Sequence, residues 1–324
     1  MNKIALITSG GDAPGMNACV RAIVKTCLGK GIVPIGYFGG YRGMMNNDFK
    51  EMTSDDVVNI IQRGGTILGT ARSEEFKTVE GRKKAIQSLQ ENNIDGFICI
   101  GGDGSFTGAS ILANEMNIPV IGIPGTIDND IYGTDRTIGF DTAMNTVVDA
   151  VDKIKDTAGS HNRIFLVEVM GRDAGFIALE TAIASGAASV LIPEERSNIE
   201  LLAQDLKSQS KRRSSLIVIV AEGDDAGGAK DIYEKLTPLM EGYTMRYSIL
   251  GHIQRGGRPS AFDRILATRM GVFAVDSLLN GESNKVVGAN GENLHLTSIS
   301  ESVRIESIAN VEHLKIIKAL KTVS

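Results

Sequence analysis

The chain of 324 residues contains no tryptophan, and aromatic residues make up only 5% of it. It therefore lacks the series of aromatic side chains on which proteins stack single-stranded nucleic acid. No segment approaches the roughly 20 apolar residues with which a helix crosses a membrane. The formal net charge of −5 argues against general binding to nucleic acid or to membranes. A local basic pocket for a small phosphorylated molecule is still compatible with this composition.

Cysteine is also scarce. Cys19, Cys27 and Cys99 are odd in number and lie in apolar helix or strand patterns. We expect them to be small core residues of a reducing compartment, because neither a disulfide framework nor a zinc site fits their number and spacing. The first residues lead straight into an apolar strand pattern at 4–7, so we expect no signal peptide. Both observations predict a cytoplasmic protein.

Glycine, in contrast, is abundant: 37 of 324 residues, about 11% of the chain against a usual ~7%. Many of these glycines follow predicted strands, where ligands contact backbone. Apolar strand patterns alternate with amphipathic helix patterns, one of them a predicted helix at 54–62 that begins after Ser54 as its N-cap. The alternation predicts an α/β fold of two doubly wound, three-layer lobes with a cleft between them.

A polar cluster follows the apolar strand pattern at 118–123. Residues 124–130 read Pro-Gly-Thr-Ile-Asp-Asn-Asp, and in an extended segment Asp128 and Asp130 lie on the same side. Two carboxylates beside the hydroxyl of Thr126 can position a substrate hydroxyl, take its proton or hold a metal ion. The alternative is an Asx-rich turn whose side chains satisfy only their own backbone.

Two glycine-rich turns, at 8–17 and at 101–105 (Gly-Gly-Asp-Gly-Ser), each join a predicted strand to a predicted helix. This geometry directs backbone N–H groups at an anion, and Asp103 could hold a Mg²⁺ ion that bridges a phosphate chain. Neither turn matches the standard P-loop or dinucleotide fingerprint. The alternatives are a plain tight turn at 8–17 and a simple helix N-cap at Asp103. A further polar loop at 68–73 could contact a phosphate or an adenine, or be plain surface.

Five motifs together resemble the bacterial 6-phosphofructokinase family, in its ATP-dependent branch. They are residues 8–17, 101–105, 124–130, 170–172 (Met-Gly-Arg) and 251–257 (Gly-His-Ile-Gln-Arg-Gly-Gly). The resemblance implies a glycolytic kinase that transfers the γ-phosphoryl group of MgATP to the 1-hydroxyl of fructose 6-phosphate. It also implies an ATP-binding lobe at 1–140 plus about 255–305 and a fructose-6-phosphate-binding lobe at 141–254 plus about 306–324. The active site is then expected in the cleft between the lobes, in a homotetramer.

The resemblance assigns roles residue by residue. Asp128 is the expected base, and the other catalytic matches are Gly11, Thr126, Asp130 and Arg172. The ATP matches are Gly11, Arg72, Ser73, Gly102, Asp103, Gly104 and Ser105, with Asp103 as the metal ligand. The sugar-phosphate matches are Thr126, Ile127, Asp128, Met170, Gly171, Arg172, Glu222, His252, Ile253, Gln254 and Arg255, with Arg163 and Arg246 from a neighbouring subunit. A lone histidine such as His252 is more often a packed core residue, but Arg255 and the glycine pair at 256–257 favour a phosphate contact.

The phosphoryl donor is expected to depend on two glycines. By the same resemblance, pyrophosphate-dependent relatives carry an acidic residue at the position of Gly104 and a lysine at the position of Gly125. Either side chain would fill space that the α-phosphate of ATP needs. Since this chain has glycine at both positions, the resemblance predicts ATP as the donor.

The family's nucleotide effector site is matched only in part. The matches are Arg21, Lys25, Lys211 and Arg213, with Lys155 where arginine is usual. Ser54 and Asn59 stand where an arginine and an aspartate are usual, and Ala188 replaces an acidic residue that helps to hold the effector's metal. Loss of a charged hydrogen-bonding partner can cost roughly 1.5–3 kcal/mol, so we expect a weakened or altered response to ADP. Alternatively, the basic run at 211–213 is only a solvated loop.

Competing classes of function are less compatible with the motifs. Lipid and NAD kinases also use Gly-Gly-Asp-Gly before a helix, but they lack the pieces at 170–172 and 251–257. A sugar-phosphate sensor without activity would require the loss of Asp103 or Asp128, and both are present. A Rossmann dehydrogenase is disfavoured because its glycine fingerprint is missing.

Overall fold

The structure is a computed structural model that describes residues 1–159, 163–212 and 215–321. Its strands are β1 (Lys3–Thr8), β2 (Val33–Tyr37), β3 (Phe49–Glu51), β4 (Gly96–Gly101), β5 (Val120–Pro124), β6 (Arg163–Val169), β7 (Ser189–Leu191), β8 (Leu216–Ala221), β9 (Thr244–Ile249), β10 (Lys285–Asn290) and β11 (Asn293–Ser298). Its helices are α1 (Met16–Gly29), α2 (Tyr41–Met45), α3 (Val79–Glu91), α4 (Asp103–Met116), α5 (Phe140–Gly159), α6 (Phe176–Ser185), α7 (Ile199–Ser210), α8 (Ala229–Leu236), α9 (Ala261–Leu279), α10 (Ile299–Arg304) and α11 (His313–Lys321).

The described chain divides into two compact units. The first comprises Met1–Ile127, Ile131–Thr142 and Arg255–Glu306, and the second comprises Asp128–Asp130, Ala143–Gln254 and the chain from Ser307 onward. These units differ from the predicted lobes chiefly at Asp128–Asp130, which the prediction grouped with the first lobe. The difference has a physical origin, because the carboxylate of Asp128 contacts the guanidinium of Arg172 in the second unit.

The first unit is built on a seven-stranded sheet with the order β11-β10-β5-β4-β1-β2-β3. The strands from β10 to β2 pair in parallel, and the two edge strands, β11 and β3, pair antiparallel to their neighbours. Every residue of β4 is buried, which is the pattern of a parallel strand covered on both faces. Side chains such as Ile7, Phe97 and Phe106 belong to a hydrophobic core beside this sheet.

The second unit is built on a four-stranded parallel sheet with the order β7-β8-β6-β9. Every residue of β8 is buried, and Leu166, Val218 and Leu206 lie in the core beside it. The apolar, β-branched sequence of β8 (Leu-Ile-Val-Ile-Val-Ala) explains why this segment forms a central strand. The prediction of an α/β fold with two lobes is confirmed.

The three cysteines are buried and free, as predicted. Burial raises the pKa of the thiols of Cys27 and Cys99 to about 12, so both are protonated near neutral pH. Among the described residues, no helix combines the length and the apolar character that crossing a membrane requires.

The predicted helix at 54–62 is wrong, because only a 3-10 turn at Asp55–Val57 forms there. Asn59 adopts a positive φ of 55°, which a continuing helix does not allow. Ser54 does not cap the turn with its side chain; its hydroxyl instead accepts a hydrogen bond from Lys25. The apolar spacing of this segment reflects the burial of Val57 in the 3-10 turn and of Ile60 in the loop after it, rather than the face of an α-helix.

Candidate active site

Three neighbouring strands of the first unit end in the predicted polar loops. β1, β4 and β5 are adjacent and parallel, with Thr8 paired to Ile100 and Gly101 paired to Pro124. The loops that follow these strands therefore leave the sheet at the same edge, where open α/β sheets bind ligands. These loops are residues 9–15, 102 and 125–127.

The start of α4 has space that the protein itself does not fill. Gly102 is the N-cap and Asp103 is the first helical residue, so the alternative of Asp103 as the N-cap is wrong. A Cβ atom added at Gly102 or Gly104 would meet no atom within 4 Å, and neither residue has a positive φ. Glycine in a helix costs roughly 1 kcal/mol relative to alanine, and no packed neighbour explains why glycine stands at position 104. Space for a ligand does explain it.

Gly125 has a different physical reason. A Cβ atom added there would lie 2.9 Å from the Cγ2 atom of Ile100 and 3.1 Å from the Cε atom of Met16. Both neighbours are fully buried, so core packing alone requires a residue without a side chain. Of the two glycines on which the predicted donor depends, only Gly104 borders open space.

The turn after β1 is covered by an arginine from far along the chain. The guanidinium of Arg255 lies where a side chain on Gly11 would be, and its Nη1 atom donates to the carbonyl of Asp12 over 3.4 Å. The structure thus brings together two residues that the resemblance assigned to different substrates, Gly11 to ATP and Arg255 to the sugar phosphate.

One buried asparagine, which the sequence analysis left without a role, fixes the neighbouring loop at 63–70. The Nδ2 atom of Asn17 donates to the carbonyls of Arg63 and Gly64 at 3.1 Å each, and its Oδ1 atom accepts from the amide of Ile67 at 2.7 Å. A single amide in the otherwise apolar stretch of α1 was the available signal. The anchored loop leads to two predicted ATP contacts, the exposed Arg72 and the half-buried Ser73.

The segment that carries the predicted base returns to the sheet within the first unit. The hydroxyl of Thr137 donates to the carbonyl of Thr126 over 2.6 Å, and the amide of Ile138 donates to the carbonyl of Pro124 over 2.9 Å. Between these anchors Asn129 has a positive φ of 57°, as turns permit for asparagine. The segment therefore includes a turn, as the alternative had it, but one with a buried carboxylate at Asp128.

In the second unit, the loop after β6 holds Arg172 in a rare backbone conformation with a φ of 53°. The Oε1 atom of Glu222 accepts hydrogen bonds from the amide of Arg172 at 2.9 Å and from the amide of Gly171 at 3.3 Å. A Cβ atom on the next residue, Gly223, would collide with the carbonyl of Arg172. Glu222 and Gly223, which directly follow the adjacent strand β8, thus fix the arginine, and no motif in the sequence indicates this role.

The 3-10 turn at Gly251–Arg255 contains the remaining predicted sugar-phosphate residues. Its Gln254 is fully buried; the side chain accepts from the amide of Met170 at 3.2 Å and donates to the carbonyl of Gly251 at 3.0 Å. Gln254 therefore connects two loops through its side-chain amide. His252 and Ile253 are exposed, so the alternative of His252 as a packed core residue is wrong.

The predicted base and the predicted phosphoryl-stabilising arginine form an ion pair. The Nε atom of Arg172 lies 3.3 Å from the Oδ2 atom of Asp128. The Asp128 side chain is only 1% exposed, whereas that of Arg172 is 49% exposed. A charge buried to this extent requires a counter-ion, and the guanidinium provides it while keeping part of its surface open to a ligand.

Known proteins resemble this chain over nearly its whole length. The profile of the phosphofructokinase family matches residues 3–278. The chain belongs to the phosphofructokinase family. It is 48% identical to ATP-dependent 6-phosphofructokinase 2 of Bacteroides thetaiotaomicron over 98% of both chains, and 51% identical to ATP-dependent 6-phosphofructokinase of Clostridium tetani over 99% of both. The solved phosphofructokinase of Saccharomyces cerevisiae superposes on 99% of this chain with a TM-score of 0.89 and 36% identity; this chain spans 47% of that longer one.

Residues expected at the effector site of this phosphofructokinase family are partly engaged within the chain. The Nζ atom of Lys25 donates to the hydroxyl of Ser54 over 2.6 Å, and the Nζ atom of Lys155 donates to the carbonyl of Ser185. Arg21 is half-buried and Lys211 is exposed, while Arg213 lies outside the described residues. Ala188 is buried and brings no charge.

Two arginines expected to act in a neighbouring subunit lie on strands of the second unit. Arg163 is the first residue of β6 and is half-buried. Arg246 is exposed on the edge strand β9, and its Nη1 atom donates to the carbonyl of Met245 over 2.8 Å.

The two kinds of glycine predict opposite responses to alanine. Gly223→Ala should lower the free energy of unfolding by about 1–3 kcal/mol, because its Cβ atom meets a backbone carbonyl that cannot move aside cheaply. Gly104→Ala should leave this free energy unchanged or raise it by up to about 1 kcal/mol, because the space is open and alanine favours the helix. Urea unfolding followed by circular dichroism measures both, and equal losses would contradict the assignment of open space at Gly104.

Proposed function

We propose that this chain transfers the γ-phosphoryl group of MgATP to the 1-hydroxyl of D-fructose 6-phosphate, giving fructose 1,6-bisphosphate and ADP. The observation that carries the proposal is the buried carboxylate of Asp128 beside the half-exposed guanidinium of Arg172. Phosphoryl transfer to an alcohol needs an acceptor for the proton and a cation for the migrating group, and these two side chains supply both. A glycolytic role would place the protein in the cytoplasm, which its free, buried cysteines support.

The first unit is the proposed ATP-binding lobe. The open space above Gly102 and Gly104 leaves a phosphate chain room to approach the amides at the start of α4, where the helix dipole favours anions. The other proposed ATP contacts are Gly11, Arg72, Ser73 and Ser105. The side chain of Ser105 is buried beneath Gly101, so we expect its backbone to be the part that faces the nucleotide.

Asp103 is the proposed ligand of Mg²⁺. Within the described residues, no group of three or more His, Cys, Asp or Glu side chains could hold a metal ion without help from a substrate. Mg²⁺ does not need such a group, because it usually binds through one or two carboxylates, substrate phosphates and water. The half-buried carboxylate of Asp103, at the first residue of α4, fits this mode of binding. When bound, the ion would neutralise charge on the triphosphate.

Asp128 is the proposed base. As the 1-hydroxyl oxygen bonds to the γ-phosphorus, its proton passes to Asp128 and the bond to the bridging oxygen of ADP breaks. We propose that the other N–H groups of Arg172 donate to the migrating group, since the guanidinium is about half exposed. Thr126 and Asp130 are proposed to orient the hydroxyl, and Gly11 to give the phosphoryl group close access to backbone.

The second unit is the proposed fructose-6-phosphate-binding lobe. Glu222 binds the Arg172 turn through Oε1, so its Oε2 atom can accept from a sugar hydroxyl. The other proposed contacts are Ile127, Met170, Gly171, His252, Ile253 and Arg255. We further propose a homotetramer in which Arg163 and Arg246 of a neighbouring copy reach the 6-phosphate, because a guanidinium fork matches phosphate geometry.

ATP is the expected donor. In an assay coupled to fructose 1,6-bisphosphate formation, ATP should support turnover, and pyrophosphate should be used far less well. Gly104→Asp places a carboxylate in the open space and should lower kcat/KM for ATP at least about tenfold by repulsion of the phosphates. Gly29→Ala, at another glycine with open surroundings, is the matched control and should behave as the parent chain does. Faster turnover with pyrophosphate than with ATP would refute the donor assignment.

Asp128→Asn should lower kcat by about 10²–10⁴-fold, because the amide cannot accept the hydroxyl proton. The affinity for fructose 6-phosphate, measured by calorimetry, should stay within about threefold, since the interactions lost belong to the transition state. Asp149→Asn, at an exposed carboxylate paired with Lys153 on α5, is the control. Unchanged turnover in the Asp128 variant would remove this residue from its proposed role.

The response to ADP should be weak. We propose that Ser54, Asn59 and Ala188 remove charged partners of the effector, and that Lys25 is partly engaged by Ser54. Fructose 6-phosphate saturation curves with and without ADP should differ little, and Ser54→Arg should enlarge the difference. A strong leftward shift by ADP in the unmodified chain would contradict this proposal.

A further inference from the structure

A fully buried carboxylate in the first unit has no part in the proposed chemistry. Asp263 lies in the first turn of α9 with no exposed surface. It accepts hydrogen bonds from the amides of Gly139 at 3.0 Å and Thr142 at 2.8 Å, and from the hydroxyl of Thr142 at 2.5 Å. These donors surround the N-terminus of α5, which a carboxylate stabilises by satisfying its amides and by opposing the helix dipole.

The carboxylate of Asp263 makes its hydrogen bonds to another segment, although Asp263 lies in the first turn of α9. The N-cap of α9 is Ser260, whose hydroxyl accepts from the amide of Asp263 at 3.1 Å. The Asp263 carboxylate is directed instead to a segment 121 or more positions away in the chain. Burying a charge is expensive even when it is fully hydrogen-bonded, and here the donors belong to a segment that packs against two loops of the candidate site.

The first of the two loops is the glycine-rich turn after β1. The Cβ and carbonyl oxygen of Asp263 both lie 3.5 Å from where a side chain on Gly15 would start. A Cβ on Gly139, whose amide Asp263 holds, would lie 2.7 Å from the Cβ atom of Ala13. Asp263 and the segment that it binds are therefore packed closely against Ala13 and Gly15 of the glycine-rich turn that contains Gly11.

The second loop is the segment that carries the proposed base, Asp128. Immediately before Gly139, Thr137 and Ile138 donate to the carbonyls of Thr126 and Pro124. A shift of residues 137–142 would therefore move the backbone from which Asp128 extends two positions later. Asp263 is the point at which α9, the start of α5 and both loops are connected.

We infer that Asp263 is a positioning residue for phosphoryl transfer. Within the first unit it sets the position of the glycine-rich turn at Gly11 relative to residues 124–126, from which the segment with Asp128 continues. The inference rests on the proposed function. A misplacement of about 1 Å between reacting groups can lower a rate on the order of 100-fold. Burial raises the pKa of Asp263 to about 6 despite the hydrogen bonds from Thr142 and Gly139, so the carboxylate is charged under ordinary assay conditions.

The test compares Asp263→Asn with Asp276→Asn at about pH 8, well above the pKa of about 6 to which burial raises the Asp263 carboxyl. In the Asp263 variant an amide N–H group must face an N–H or O–H donor, so kcat should fall about tenfold to hundredfold. The KM for fructose 6-phosphate should stay within about threefold, because most of the proposed sugar-phosphate contacts, among them Arg172, Glu222 and His252, belong to the second unit. Asp276, on the same helix, is exposed and pairs with Lys30 at 3.0 Å, so its variant should keep the parent kcat.

Variants at two partners separate positioning from simple loss of stability. Ser260→Ala removes the cap of α9 and should lower the melting temperature while kcat stays within about twofold. Thr142→Val should lower kcat, whereas Thr142→Ser, which keeps the hydroxyl, should have about the parent kcat. The double variant Thr142→Val with Asp263→Asn should have a kcat little lower than that of Asp263→Asn alone. If Asp263→Asn does not fold, the Thr142 pair decides the question.

Each outcome has a defined meaning. A parent chain without activity on ATP and fructose 6-phosphate would overturn the proposed function itself. An active parent whose Asp263→Asn or Thr142→Val variant keeps the parent kcat would overturn only the positioning role. Equal losses of kcat in Ser260→Ala and Asp263→Asn would do the same, because they would make the effect one of general stability.

Discussion

Parallel pairing of β1, β4 and β5 is the constraint on which the first half of the site depends. Once Thr8 pairs with Ile100 and Gly101 with Pro124, the three following loops must leave the same edge of the sheet. The relative positions of the three loops are set by the backbone hydrogen bonds that align the strands. The same rule operates in the second unit, where β8, β6 and β9 are adjacent and parallel and their loops carry Glu222, Arg172 and His252.

Much of this could be predicted from the sequence, because it depends on local patterns. Apolar, β-branched runs such as those of β4 and β8 indicate buried strands, and the glycine-rich stretches after such runs indicate strand-to-helix turns. The prediction failed at residues 54–62, where an apolar spacing typical of a helix belongs to a loop. There a positive φ at Asn59 ends the helical conformation, and such angles leave little trace in the spacing of residues.

Long-range polar contacts were the part that the sequence could not reveal. Gln254 lies in a motif expected to contact substrate, yet its burial against Met170, 84 positions away, gives it a supporting role. Asp263 lies in no motif, Asn17 ends a motif that assigned it no role, and only the fold shows what their polar atoms bind. The same holds for the glycines: the sequence alone does not distinguish Gly104, which borders open space, from Gly125, which core packing requires.

Arg172 has a consequence for how this site can change over time. A residue with a side chain at a φ of 53° costs of order 1–3 kcal/mol, and here Glu222 and the lack of a side chain on Gly223 sustain that conformation. Glycine at this position would relax the backbone but discard the guanidinium, so relaxation and charge cannot be improved together at one residue. The residues at positions 172, 222 and 223 therefore depend on one another. Laboratory evolution of acceptor specificity must vary the three positions together to reach a different arrangement of this loop.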